Sequence, residues 1–109
     1  MLTEMSRKYF EIFSAKDLDG LAEMFADDVV LRDWEISALG KEDVLAANQK
    51  IFESVTNISV KPLKSCEQGN TVMTEIEIDV NADESKLLVV DVIDFDGQGK
   101  IKSVRAYKG

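Results

Sequence analysis

A chain of 109 residues can enclose one hydrophobic core but not two, and 45% apolar with 31% charged is globular rather than disordered composition. Its net charge of −8 argues against nucleic acid, whose binding rests on neutralising phosphates with Lys and Arg, and against anionic membrane surfaces. With no histidine and one cysteine, Cys66, it excludes Ser-His-Asp and Cys-His catalysis, an intrachain disulfide and a cysteine-clustered metal site.

A zinc site is not expected for the same reason, and acid–base chemistry must come from carboxylates, tyrosine or lysine. No apolar run reaches the length of a membrane span, and no basic region followed by an apolar one opens the chain. The expectation is one cytoplasmic domain over residues 1–109, with no nucleic-acid or membrane partner.

In chain order, "MSRKYFEIFSAK" predicts a first helix with Met5, Tyr9, Ile12 and Phe13 on its apolar stripe. Asp17 is placed to cap a second, shorter helix, "LDGLAEMFA", with Leu18, Leu21, Met24 and Phe25 on one side. Asp27 and Asp28 break that pattern before "VVLRDW", a β-branched strand in which Asp33 alternates in phase with Val29 and Leu31. After "EISALG", the segment "KEDVLAANQKIFESV" predicts a third helix with acids in its first turn, where the helix dipole favours them. Its stripe is Val44, Ile51, Phe52 and Val55, and Asn48 falls on it.

Four strands follow: "NISVKPLKS", "NTVMTEIEIDV", "KLLVVDVIDF" and "KIKSVRAY", with hairpin turns at "EQGN" and "DGQG". Pro62 marks the first of them as an edge or bulged strand. Helices first and antiparallel strands afterwards indicate an α+β fold with helices on one sheet face. In the third of these strands Leu87, Val89, Asp91, Ile93 and Phe95 share one face, while Leu88, Val90 and Val92 make the other face apolar too. That outer face needs cover, and a homodimer is the simplest supplier.

Tyr9, Asp33 and Asp91 each lie on the apolar side of an element that otherwise keeps its pattern. Each has a plain reading: a core tyrosine, a strand-ending turn cap, and an acid paired with Arg32 or Arg105. Together they would supply a base, a phenol donor and a carboxyl group in a dry cavity, a set suited to proton abstraction beside a carbonyl. That division of labour needs Asp91 protonated and Asp33 ionised.

The segments "YFEIFSAKDLDGLAEMFADDVVLRDW" and "VVDVIDFDGQGKIKSVRAYKG" resemble the ketosteroid isomerase and SnoaL-like branch of the nuclear transport factor 2-like superfamily, over about Tyr9 to Gly109. The "DLDGL…FADD" stretch is widespread there and specifies fold. The resemblance implies a cone-shaped α+β barrel: a curved mixed or antiparallel sheet, with three helices from the N-terminal half enclosing a deep pocket, and usually a dimer. It also implies roles. The oxyanion-hole tyrosine falls on Tyr9, the general-base aspartate on Asp33, and a second oxyanion-hole aspartate, kept neutral by an apolar site, on Asp91.

The resemblance implies an isomerase with no cofactor or metal, moving a proton next to a carbonyl of a small apolar ligand. A noncatalytic ligand-binding or dimerisation domain and a SnoaL-like polyketide cyclase or hydratase are the alternatives. The isomerases' supporting tyrosine is replaced by Asn48, the aromatic near their base by Lys108, and the proline after that base by Trp34. A standard steroid is therefore not the expected substrate. Phe13, Trp34, Asn48, Phe52, Ile76 and Ile78 are the candidate substrate-binding residues.

Overall fold

A computed structural model of the chain describes residues 1–82 and 85–109. Its elements run α1 (Leu2–Ser14), α2 (Leu18–Met24), β1 (Phe25–Arg32), β2 (Ser37–Leu39), α3 (Lys41–Ser54), β3 (Ile58–Gln68), β4 (Thr71–Val80), β5 (Ser85–Phe95) and β6 (Ile101–Lys108). The six strands form one sheet in the order β2-β1-β6-β5-β4-β3. β1 pairs with β6 in parallel and every other pairing is antiparallel, so the sheet is mixed. It is not closed into a barrel, since β2 and β3 are its two edges. Among the described residues no helix is long and apolar enough to cross a membrane.

The helices cover one sheet face. On α1 the buried residues are Ser6, Tyr9 and Phe10, so the core-facing stripe is centred on Phe10 as well as Tyr9. Asp17 accepts the backbone N–H of Gly20 at 3.0 Å and caps α2, one of the orphan donors of a helix start. α2 ends two residues before the predicted limit: Phe25 and Ala26 open β1 instead. Asp27 and Asp28 lie inside β1, not before it, where the ladder to β6 shifts register between Phe25 and Val30 and leaves both acids exposed. α3 buries Val44, Asn48 and Phe52 of its predicted stripe, while Ile51 and Val55 are half-buried.

β3 is an edge strand with a bulge between Pro62 and Lys64, consistent with a residue that cannot donate to a ladder. Helix α1 covers this edge: the Val60 N–H donates to the Ser14 hydroxyl at 2.9 Å, and Thr3 donates to Glu67 through both backbone and hydroxyl. Lys16 Nζ donates to the carbonyls of Val55 and Thr56, satisfying groups past the end of α3.

The ladders fix which side chains look inward. Thr74 stands opposite Asp91, and Asp91 opposite Ala106. Ile76 stands opposite Val89, and Val89 opposite Lys108. The outward set of β4, β5 and β6 includes Met73, Leu88, Val90 and Tyr107, all exposed.

Candidate active site

Between the helices and the inner sheet face lies a cavity of about 230 Å³. Of the residues expected to form the site, Tyr9, Phe13, Asp33, Trp34, Asn48, Ile76, Ile78 and Asp91 all line it. Phe52 does not. It packs edge-on against Phe13 with ring centroids 5.0 Å apart, one layer behind the wall. Phe10, Leu31, Glu35, Leu87, Val104 and Ala106 also line the cavity. Glu35 sits in the turn after β1, where no periodicity could have marked it as a wall residue.

Asp91 reaches the cavity from the middle of β5 because the two-residue period that carries Val89 and Ile93 inward carries it too. It is 7% exposed and makes no hydrogen bond or ion pair among the described residues. The salt-bridge reading fails on geometry. Arg105 pairs with Asp94 at 3.2 Å, and Arg32 stands directly beside Arg105 across the β1–β6 ladder, exposed. Burial raises the Asp91 carboxyl from its ordinary 3.8 to about 7, and the negative charge of Asp33 adds to the rise.

Tyr9 enters from α1 and is 5% exposed, with Phe10, Phe13 and Phe25 tilted around its ring at centroid distances of 5.6 to 6.2 Å. No protein group accepts its hydroxyl among the described residues. Burial, and secondarily the charge of an ionised Asp91, hold that hydroxyl well above the usual phenol range. At neutral pH it is a donor and not a phenolate.

Asp33 closes β1 at the mouth. Its Oδ1 accepts the backbone N–H of Glu35 at 2.7 Å and of Ile36 at 2.6 Å, and its own N–H donates to the Ile36 carbonyl. The turn-capping reading of Asp33 is thus present in the structure, and it fixes one carboxylate oxygen. No hydrogen bond engages Oδ2 among the described residues. Trp34 is 41% exposed at the rim, and the Lys108 ammonium lies 5.7 Å from the centroid of its ring.

Asn48 is 2% exposed, but its Nδ2 donates to the Val44 carbonyl of its own helix at 2.9 Å. Among the described residues it makes no hydrogen bond to the Tyr9 hydroxyl. Nearby, Ser65 and Thr74 hydroxyls pair at 2.9 Å, which satisfies the buried Thr74 without using Asp91.

A protonated carboxyl and a phenol lining one largely apolar cavity can each donate a hydrogen bond. A carboxylate lining the same cavity can take a proton from carbon.

Residues 6–104 match the family model of the SnoaL-like domain. No curated protein matches the chain by sequence. Among solved structures, it is similar to a polyketide cyclase, provisionally so assigned, from Sinorhizobium meliloti (20% identity, 94% of this chain and 93% of that one, TM-score 0.84). It is also similar to an LEH-like epoxide hydrolase from M. tuberculosis (18% identity, 99% and 82% covered, TM-score 0.85) and to a SnoaL-like protein of unknown function from Burkholderia thailandensis (17% identity, 99% and 93% covered, TM-score 0.83). At these identities the likeness is one of fold.

Proposed function

The chain belongs to the SnoaL-like family, and from that premise we propose that it is an isomerase, moving a proton beside the carbonyl of a small, largely apolar compound. The observation that carries this reading is that two buried, unpartnered groups, the Tyr9 hydroxyl and the Asp91 carboxyl, line the same cavity as the Asp33 carboxylate.

In the reaction, Asp33 Oδ2 takes a proton from the carbon between a carbonyl and a double bond. The C–H electrons move into a dienolate and the carbonyl oxygen gains negative charge. Tyr9 and protonated Asp91 donate to that oxygen, and their placement before the substrate arrives means little reorganisation at the moment of reaction. Asp33 then returns the proton to the far carbon of the dienolate, so the base is regenerated and no cofactor takes part.

The cavity volume of about 230 Å³ is below the roughly 300–1,000 Å³ of sites that bury drug-sized ligands, which supports a substrate smaller than a steroid. The exposed Met73, Leu88, Val90 and Tyr107 on the outer sheet face support a homodimer joined through that face.

The test is binding of a phenol that mimics the dienolate. Wild type binds it, Asp33→Asn binds it equally or more tightly, and Tyr9→Phe and Asp91→Leu lose it. If none of the three substitutions changes binding, a noncatalytic ligand-binding domain replaces the isomerase. A panel of β,γ-unsaturated ketones, followed by ultraviolet absorbance as conjugation develops, then identifies the substrate class.

A further inference from the structure

Four aromatic side chains, Tyr9, Phe10, Phe13 and Trp34, and three carboxyl groups, Asp33, Glu35 and Asp91, line the cavity. Among the described residues no lysine or arginine lines it. Such a wall is negative in potential, and ring faces attract cations further. The three carboxyls do not converge. No group of three acidic, cysteine or histidine side chains among the described residues could hold a metal ion. Charge dispersed over an apolar, aromatic surface complements an organic ammonium, whose own charge is spread over alkyl groups, rather than a compact and strongly hydrated ion.

The rim already holds one ammonium group against an aromatic ring. Lys108 Nζ lies over the Trp34 ring and makes no ion pair among the described residues. Deeper in, Asp91 is buried and unpartnered on the wall, so an entering cation finds a carboxyl free to become its counter-charge. We infer that this cavity also binds small apolar ammonium ions, with Asp91 and Asp33 as counter-charges and the Tyr9 and Trp34 rings around the alkyl groups. The inference goes beyond the proton-transfer reading, because it needs the cavity wall and not the reaction.

The groups facing Asp91 set its pH dependence. Tyr9 comes from α1, Asp33 and Glu35 from the end of β1 and its turn, and β6 offers the uncharged Ala106, with Lys108 outside the cavity against Trp34. Opposite on β4 stands the uncharged Thr74, and α3 offers only the Asn48 amide. Asp91 keeps its proton up to about pH 7 and must release it to pair with a cation. Ammonium affinity therefore rises with pH, whereas a phenol, which needs Asp91 as donor, binds less well as pH rises.

Trp34 is the only tryptophan, so its fluorescence reports directly on the rim. The full chain is titrated with tetramethylammonium chloride and with benzyltrimethylammonium chloride against a sodium chloride control, with calorimetry in parallel. The expected result is saturable binding whose Kd falls about tenfold between about pH 6 and about pH 8, as the competent ionised fraction grows. Asp91→Asn should lose that pH dependence, and Lys108→Met, which removes the resident ammonium, should tighten binding. No saturable signal beyond the sodium chloride control, or a Kd indifferent to pH, overturns the inference. A protein that binds the phenol but neither ammonium loses only the ammonium site and keeps the proton-transfer reading.

Discussion

Asp33 and Asp91 stand on the wall of one cavity in opposite states of satisfaction: Asp33 Oδ1 accepts two backbone N–H groups, while Asp91 has no hydrogen-bond partner among the described residues. The negative charge of the first strengthens the proton affinity that burial gives the second. In the isomerase proposed above, the first acts as the base and the second as a hydrogen-bond donor.

Stability carries the signature of that neutral acid. The folded protein holds a proton on Asp91 between the ordinary 3.8 and about 7, whereas the unfolded chain has lost it. Stability is therefore greatest at the acidic side of this window and falls as pH rises through it, by roughly 1.4 kcal/mol per unit at most, levelling off above about 7. Asp91→Asn should flatten this slope and exceed wild type in stability at about pH 8. Urea denaturation at about pH 5 and about pH 8 checks both.

The catalytic roles separate by the size and kind of loss. Asp33→Asn should lower turnover of a β,γ-unsaturated ketone by roughly 10²–10⁴-fold, the range for a positioned base, without weakening phenol binding. Tyr9→Phe and Asp91→Leu should lower turnover by about 10²–10³-fold each, the range for one oxyanion donor, and weaken the phenol as well. Equal loss of phenol affinity in Asp33→Asn would assign it to binding alone.

Phe10 anchors the helix that carries Tyr9. It is 1% exposed and lies against the Tyr9 ring at 5.6 Å. Phe10→Ala should cost about 3–5 kcal/mol by leaving a cavity behind the phenol. The loss appears in chemical denaturation as a lower midpoint.

Dimerisation through the outer face predicts that Leu88→Lys combined with Val90→Glu yields a monomer, while wild type sediments at twice the chain mass. Both positions point away from the cavity, so phenol binding should survive in the double variant. A wild type that sediments as a monomer removes the dimer.

Much of this arrangement is legible in the sequence because strands alternate strictly. The inward run of Leu87, Val89, Ile93 and Phe95 places Asp91 inside without reference to any other element. The expected α+β fold and mixed sheet are present, and the third helix buries Val44, Asn48 and Phe52 of its stripe, with Ile51 and Val55 half-buried. What sequence hides is decided by contact between distant parts. β2 is only three residues long and exists through pairing with β1, so "EISALG" reads as loop. Asn48 falls on the right stripe, yet its amide turns back to Val44, a choice of rotamer that spacing does not encode. The sheet's two edges depend on where β2 stops and on α1 crossing β3. The cavity is a volume left between elements, and its Glu35 wall follows from the turn that Asp33 caps.

The most direct measurement is a carbon-13 NMR titration of the Asp91 carboxyl in wild type and in Asp33→Asn. A midpoint near 7, moving down when the neighbouring charge is removed, is the expected result. A midpoint near 4, shared with the surface acids and unmoved by the substitution, would mean that Asp91 is charged at neutral pH and cannot donate to an enolate.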